Sequence, residues 1–373
     1  MIPMDVKKKE TAKRIRGLGK TVFDDLLRGD FRSTLHRDMK DLYRFYIDEE
    51  RRARLERMGR VRRSILIFIW ILKSMILKLT PARRILLIVC FILFLSGSIS
   101  FQMGRLDFTL HLGAFSFIIL MIILMLELKD KLLAHDELII GRAVQRALLP
   151  EKNPVFPGWE IWLYTRAAND VGGDLVDYLK MSDDRLGIML GDVAGKGLGA
   201  ALLMAKLQAT LRALAPDYPS LSDLGSKMNE ILYRDGIPNR FATLVYLEMK
   251  PDSGHLRFLN AGHMPIIVLE GSKIEKIDPS SSLLGAFPGS AFVEQSIELS
   301  PGGSMLIYSD GLTEACDKKG DFFDEKRLLD LCSRCKGLSV DETGKRLLNE
   351  VEQFVGNEPQ SDDISLVILR RAK

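Results

Sequence analysis

Aspartates recur beside glycine or a second aspartate where apolar runs of the sequence begin or end. Four segments show this pattern, and they contain Asp174, Asp192, Asp310 and the pair at 362–363. Apolar runs of this kind predict buried strands, so each carboxylate is expected at a strand end. Burying a carboxylate without a partner is costly, and several at strand ends are most simply explained if they converge on hard cations. Oxygen ligands of this type suit magnesium or manganese.

Asp192 has the most informative surroundings. It lies in a Gly-rich turn at 191–197, between the apolar run 186–190 and a helical pattern at 198–214. Considered alone, a Gly-Asp pair is also common in ordinary turns. Because the same arrangement recurs in the other segments, a metal site is favoured over an ordinary turn. One carboxylate can bridge two magnesium or manganese ions.

The other reactive residue types give weaker signals. The chain has four cysteines and no Cys/His cluster of the kind that binds zinc. Cys332 and Cys335 have C-x-x-C spacing without a second pair or a nearby histidine, so we interpret them as ordinary helix residues of a reducing compartment. His263 could act as a general acid, but a hydrogen-bonded loop histidine that shapes the rim of the site is the favoured interpretation. The sequence contains no motif of the covalent phosphatases, serine hydrolases or phosphate-loop NTPases.

Six segments of residues 148–373 together resemble those of metal-dependent (PPM-type) serine/threonine protein phosphatases. More narrowly, they resemble the bacterial branch that includes stage II sporulation protein E and the stress-response phosphatases. The matching segments, in order and spacing, are 148–150, 169–174, 191–201, 260–263, 308–315 and 362–364. The resemblance implies a sandwich of two antiparallel β-sheets flanked by α-helices. The periodicity beyond residue 159 independently predicts an α+β fold.

Carried over position by position, the resemblance implies two divalent cations, Mn²⁺ or Mg²⁺, held by the chain. Asp192 would be the ligand that bridges both ions, and the carbonyl of Val193 would complete one shell. Asp174 would contribute near the first ion. Asp310 and Asp362 would bind the other ion.

Two further positions of the motif are less well determined by the resemblance. Asp363 stands where the wider family has either an acid or an amide, so it is a second-choice ligand. Lys196 stands where many relatives have histidine, and it is assigned no role. Neither position removes an implied metal ligand.

The implied reaction is hydrolysis of phosphoserine or phosphothreonine on a protein by a metal-activated water, with Asp192 and Asp310 as catalytic residues. By analogy alone, the implied substrate is an anti-sigma-factor antagonist in a bacterial partner-switching system. The alternative is a catalytically silent, membrane-tethered scaffold that binds a partner through the same domain, which would require a lost ligand. A two-metal nuclease would need a basic channel, and no nucleic-acid partner is expected of this acidic domain.

The net charge is unevenly distributed between the beginning and the remainder of the chain. Residues 1–84 hold 23 Lys/Arg and 11 Asp/Glu, a net charge of +12, so the total of +4 leaves −8 for the rest. We expect residues 1–63 to be a basic, charged cytoplasmic segment. Residues 64–82 are apolar but interrupted by lysines, which predicts an amphipathic helix that lies on the bilayer.

Two uncharged apolar runs within residues 83–127 predict a transmembrane helical hairpin. The runs cover 85–101 and 108–126, and a short polar turn at 102–107 joins them. Two spans leave both chain ends in the cytoplasm, as the positive-inside rule requires of the basic front end. We therefore expect a multi-pass protein of the inner (cytoplasmic) membrane that contacts anionic lipid.

Residues 127–149 continue the second run as a helix, with apolar residues spaced by seven at 133, 140 and 147. In the resembling family such a helix is a signalling linker that often dimerises, so a homodimer is expected. The phosphatase domain is expected at 150–373. Its predicted strands are 159–166, 175–181, 186–193, 241–249, 255–259, 266–269, 305–307 and 364–369. Its predicted helices are 198–214, 221–233, 325–332 and 340–354.

Overall fold

The structure is a computed structural model that divides into two compact units, Met1–Lys131 and Leu132–Lys373. The described residues are 58–103, 106–236, 240–271 and 273–372, without the side chains of 60, 61, 99–110 and 134. The predicted basic segment 1–63 therefore lies almost entirely outside the described residues.

The described part of the first unit begins with two helices, α1 (Arg60–Lys78) and α2 (Pro81–Leu95). A two-stranded hairpin follows, formed by β1 (Ser98–Met103) and β2 (Leu106–His111). Helix α3 (Leu112–Leu148) then runs without interruption into the second unit. The predicted helix 64–82 thus ends earlier, at residue 78, because a proline is well suited to the first turn of the next helix.

The predicted limits of the apolar spans, 85–101 and 108–126, are wrong where the two runs approach each other. Helix α2 ends at Leu95, and residues 98–111 form an antiparallel hairpin in which Ser98 pairs with His111. From residue 98 onward apolar and polar residues alternate, and this period of two is typical of a strand. Among the described helices, one, α3, is long and apolar enough to cross a membrane by length and composition.

Within the first unit, α2 runs antiparallel to the beginning of α3. Ser116 Oγ donates a hydrogen bond of 3.0 Å to the carbonyl of Cys90, and both residues are buried. At the other end of the pair, the guanidinium of Arg83 lies 2.7 Å from Glu127 and 2.6 Å from Asp130. The remaining side chains of both helices are largely apolar and exposed, for example Ile85, Phe91, Phe94, Phe117 and Leu124.

The described residues of the second unit form two five-stranded sheets whose strands all pair antiparallel. The strands are β3 (Trp159–Arg166), β4 (Leu175–Ser182), β5 (Arg185–Val193), β6 (Ala242–Met249), β7 (His255–Ala261), β8 (Ile266–Glu270), β9 (Lys273–Ile277), β10 (Glu294–Glu298), β11 (Ser304–Tyr308) and β12 (Ile364–Arg371). The first sheet has the order β10-β7-β6-β5-β4 and the second has the order β3-β12-β11-β8-β9. The helices are α4 (Leu198–Leu214), α5 (Leu221–Arg234), α6 (Asp310–Thr313), α7 (Asp324–Arg334) and α8 (Val340–Val355).

The sheets enclose one apolar layer, and helices cover their outer faces. Strand β5 illustrates why its sequence is a continuous apolar run: Ile188 and Leu190 face the layer between the sheets, whereas Met189 faces α4 and α5. Helices α7 and α8 cover the second sheet in the same way. The predicted sandwich of two antiparallel sheets with flanking helices is therefore confirmed. Strands β9 and β10 were not predicted, because their partly exposed, charged sequences lack a clear apolar run.

Candidate metal centre

The two sheets bring the predicted aspartates together at one end of the sandwich. Asp192 is the penultimate residue of β5, and Leu175, the first residue of β4, pairs with Gly191. Asp174 and Asp192 therefore lie at the same end of the first sheet. In the second sheet, β11 ends at Tyr308, two residues before Asp310. Residues 362–363 directly precede β12, the strand that pairs with β11. Antiparallel pairing therefore places a strand end beside a strand start in each sheet.

Burial and neighbouring negative charges raise the pKa values of three of these carboxyl groups, those of Asp174, Asp192 and Asp310. Burial raises the pKa of Asp174 well above its usual range, and the charge of Asp192 raises it further. Burial also raises the pKa of Asp192 to about 6, with added contributions from Asp310, Asp362 and Asp363. Burial also raises the pKa of Asp310, and the charges of Glu314 and Asp362 raise it further. Such a cluster is stabilised by cations.

Lys196 supplies one cation at the rim of this cluster. Its Nζ lies 2.8 Å from Asp362 Oδ2 and donates a 2.9 Å hydrogen bond to the carbonyl of Ser361. The carboxylate of Asp362 in turn raises the pKa of Lys196. The sequence assigned no role to this lysine, and the fold places it opposite a predicted metal ligand.

Asp363 holds the loop that carries Asp174. Its Oδ1 accepts from the amide of Ala168 at 2.7 Å, and its Oδ2 accepts from the amide of Gly173 at 2.6 Å. A methyl group built on Gly172 would lie 2.6 Å from Asp363 Oδ2, so only glycine permits this approach. Both oxygens are thus engaged by the backbone, and a ligand role for Asp363 stays a second-choice prediction.

The side chains at this end of the sandwich offer oxygen donors of the kind that hard cations prefer. Among residues 58–372 that the structure describes, no three acidic, histidine or cysteine side chains are close enough to form a finished ligand set. The chemistry nevertheless fits, because the donors are oxygens and Asp174 Oδ2 is buried without a hydrogen-bond partner in the described part of the chain. The carbonyl of Val193 lies 3.1 Å from a methyl group built on Gly173, the residue that precedes Asp174. A buried, unpartnered carboxylate oxygen of this kind is suited to a divalent cation.

The side chain of His263 is buried, whereas a general acid has to reach the substrate. It is 4% exposed, its Nδ1 lies 2.7 Å from Thr243 Oγ1, and its Nε2 lies 3.1 Å from the carbonyl of Tyr308. Burial lowers its pKa to about 4, so the ring is neutral near pH 7. The structure therefore agrees with the interpretation of a hydrogen-bonded histidine.

Two contacts of the site were missed by the sequence analysis. Gln145 of α3 binds the backbone of Gly172 twice: its Nε2 donates to the carbonyl at 2.7 Å and its Oε1 accepts from the amide at 3.0 Å. Arg240 Nη1 donates to the carbonyl of Ala194 at 2.6 Å, in the turn after Asp192. The one available signal was a glutamine within an amphipathic helix that leads into the first matching segment.

The C-x-x-C pair lies in the helical layer of the second sheet. Cys332 and Cys335 are 2% and 4% exposed, and both thiols are free. Burial raises the pKa of both thiols, to about 12 for Cys332. The interpretation as ordinary helix residues is consistent with this environment.

Comparison with known proteins relates the chain to one family. The family model described as stage II sporulation protein E (SpoIIE) matches residues 182–372, slightly more than half of the chain. Protein IcfG of Synechocystis sp. is 27% identical over 266 residues, which are 63% of this chain and 41% of that protein. Phosphoserine phosphatase RsbP of Bacillus subtilis is 26% identical over 191 residues, which are 49% of this chain and 47% of that protein.

The chain therefore spans less than half the length of these two relatives. Among solved structures, the SiaA-PP2C domain of Pseudomonas aeruginosa superimposes with a TM-score of 0.55 at 18% identity, over 65% of this chain and 98% of that domain. At this level of identity the likeness concerns the fold.

Proposed function

The chain belongs to the stage II sporulation protein E (SpoIIE) family, and from this premise we propose that it is a metal-dependent protein serine/threonine phosphatase. The observation that carries the proposal is the convergence of Asp174, Asp192, Asp310 and Asp362 at the shared end of the two sheets. Burial and neighbouring negative charges raise the pKa values of Asp174, Asp192 and Asp310. Similarity to the phosphoserine phosphatase RsbP supports the same reaction class.

The chain's own residues would bind and orient two divalent cations, Mn²⁺ or Mg²⁺. Asp192 would contact both ions, and Asp174 with the Val193 carbonyl would hold the first. Asp310 and Asp362 would hold the second. When bound, such ions supply a water of lowered pKa and positive charge opposite the phosphoryl oxygens.

Among the residues that the structure describes, the serine next to Asp310 is not available as a nucleophile that would form a phosphoenzyme. Ser309, which precedes Asp310, is fully buried, and its hydroxyl donates to the carbonyl of Asp363 at 3.2 Å. The same oxygen accepts from the amide of Ser365 at 2.9 Å. The hydroxyl proton of Ser309 and one of its acceptor positions are therefore used inside the fold, which favours direct attack by water.

A cavity of about 320 Å³ lies beside the aspartates and could receive residues that flank a phosphoserine. Gly311, Gln360 and Ser361 are among its lining residues. A larger cavity of about 700 Å³ is lined by Gly303 and Ser304, at the opposite end of β11 from Asp310. It is therefore remote from the proposed chemistry.

The test is release of phosphate from a phosphoserine peptide by the full-length chain in detergent, with manganese or with EDTA. We expect activity with manganese only. Asp192→Asn should abolish it, and Asp183→Asn should not, because Asp183 is 98% exposed and pairs with Lys180 at the surface. Retention of near-normal activity by folded Asp192→Asn protein would overturn the metal assignment. A wild-type protein without manganese-dependent turnover would instead favour the silent-scaffold alternative.

We also propose that the substrate is an anti-sigma-factor antagonist in partner-switching signalling. The support is that the chain belongs to this family and resembles its stress-response branch. The substrate is therefore proposed by analogy. The measurement is dephosphorylation of a phosphoserine-bearing antagonist domain, compared with a phosphotyrosine peptide of equal charge. Equal rates on both would contradict this substrate.

The location is proposed to be the inner (cytoplasmic) membrane, with the N-terminus and residues 150–373 in the cytoplasm. The antiparallel pair of α2 and α3 supports a membrane hairpin, because its outer side chains are apolar and exposed. At ~1.5 Å per residue the 15 residues of α2 reach about 22 Å, less than the ~30 Å apolar core. The hairpin would therefore span the apolar core of the bilayer only with the contribution of the flanking arginines and of residues 98–111. Retention in the membrane fraction after high-salt washing is expected, and release by salt would contradict it.

A homodimer through the linker 127–149 completes the proposal. The part of α3 within the second unit exposes an apolar stripe that includes Leu133, Ile140 and Val144, each more than half exposed. Spacing of seven and four residues aligns such side chains on one helix face. Light scattering of the detergent-solubilised chain should show a dimer that Ile140→Glu dissociates. A monomeric wild-type chain would contradict it.

A further inference from the structure

His263 joins the two sheets next to the predicted metal ligands. On one side its ring contacts Thr243, whose backbone pairs with Asp192 in the ladder between β5 and β6. On the other side its ring contacts the carbonyl of Tyr308, two residues before Asp310. One buried side chain thus connects the sheet that carries Asp192 to the sheet that carries Asp310.

The chemistry of the partners determines the direction of both hydrogen bonds. The Tyr308 carbonyl can only accept, so Nε2 of His263 carries the proton and donates. Nδ1 is then an acceptor, and the Thr243 hydroxyl donates to it at 2.7 Å. That hydroxyl has a single proton, and its alternative acceptor, the Asp192 carbonyl, is farther away at 3.4 Å. A neutral ring of one defined tautomer therefore links the two strands.

The turn after β7 is built to hold this ring in place. Asn260 is fully buried, its Oδ1 accepts from the His263 amide at 2.9 Å, and its Nδ2 donates to the Met264 carbonyl at 3.1 Å. Gly262 has a φ of 66°, and a methyl group there would lie 2.6 Å from the side chain of Leu283. The Asn-Ala-Gly-His sequence is thus explained by positioning rather than by chemistry at phosphorus.

We propose that His263 is a positioning residue that, with Thr243, sets the separation between Asp192 and Asp310 and so the spacing of the two cations they would hold. This inference rests on the proposed function. The two aspartates lie on different sheets, and the sheets meet through apolar side chains, which specify distance less sharply than hydrogen bonds do. A fixed link next to the ligands is the kind of support that a two-ion site requires.

The experiment compares Thr243→Val, which removes the hydroxyl at nearly equal shape, with Thr243→Ser, which keeps it. Thr343→Val, a buried threonine of α8 away from the site, is the matched control. Manganese binding to the full-length chain in detergent is measured by titration calorimetry. We expect binding about tenfold weaker in Thr243→Val, and within about twofold of wild type in Thr243→Ser and Thr343→Val. His263→Phe should weaken binding at least as much.

A second readout follows the ring itself. The chain has five histidines, so selective ¹⁵N labelling and the spectrum of His263→Phe identify the His263 signals. We expect an Nε2–H tautomer at pH 7, and a displaced Nδ1 signal in Thr243→Val but not in Thr243→Ser. Unchanged manganese binding in Thr243→Val, or equal loss in Thr243→Ser, would overturn the positioning role. Absence of manganese binding by the wild type would instead refute the proposed function.

Discussion

Asp192→Asn should make the metal-free protein more stable although it removes the proposed activity. The pKa of Asp192 in the folded protein is raised to about 6, first by burial and then by the charges of Asp310 and Asp362. A carboxyl whose folded-state pKa lies above its unfolded value of about 3.9 destabilises the fold when it is ionised. This destabilisation is fully present above pH ~6 and is absent below pH ~4. An amide of equal size removes it.

The magnitude follows from the difference between the folded and unfolded pKa values. About two pH units, at ~1.4 kcal/mol per unit, correspond to roughly 3 kcal/mol. Asp192 keeps some contact with solvent, and water screens its repulsion from the other carboxylates, so this value is an upper limit. We therefore expect the free energy of unfolding of Asp192→Asn to exceed that of wild type by about 1–3 kcal/mol at pH 7.5. The difference should shrink toward zero at pH 4.

The assay is urea unfolding in EDTA, followed by tryptophan fluorescence. Trp159 and Trp162 are both buried in β3, so they report on the sandwich. Asp183→Asn is the control and should unfold with wild type, because Asp183 is exposed. Manganese should stabilise the wild type and not Asp192→Asn, which reverses their order. An Asp192→Asn protein that is less stable than wild type in EDTA at pH 7.5, or a gain that persists at pH 4, would refute the reasoning.

Three other perturbations test separate parts of the structure. Lys196→Met removes the cation that lies 2.8 Å from Asp362 and should tighten manganese binding about threefold by calorimetry; weaker binding would contradict this competition. Gln145→Leu breaks both hydrogen bonds to Gly172 and should lower manganese-dependent turnover at least about tenfold with the fold retained, so an unchanged rate would show that this contact is dispensable. Glu248→Gln leaves two arginines without their buried carboxylate and should cost about 3–5 kcal/mol in urea unfolding; a loss below about 1 kcal/mol would mean that the buried charges are compensated by other groups.

Much of the site chemistry is readable from the amino-acid sequence by itself. The alternating or continuous apolar runs around residues 175–193 identify strands, because side-chain direction in a strand has a period of two and both faces of β5 are covered. Aspartates beside glycine at the ends of such runs indicate oxygen ligands for hard cations. The same local reasoning explains why helices α4, α5, α7 and α8 were predicted near their observed limits. It failed at residues 98–111, where counting apolar residues concealed an alternating pattern.

The tertiary structure alone decided which side chains meet. Asp192 and Asp310 become neighbours across two sheets, Lys196 pairs with Asp362 over 166 positions of chain, and His263 is buried between strands instead of lining the reacting space. Gln145 likewise reaches its backbone partner 27 residues away. Periodicity encodes only the direction of a side chain relative to its own element. Contacts between distant residues depend on sheet order and packing, which are properties of the whole chain.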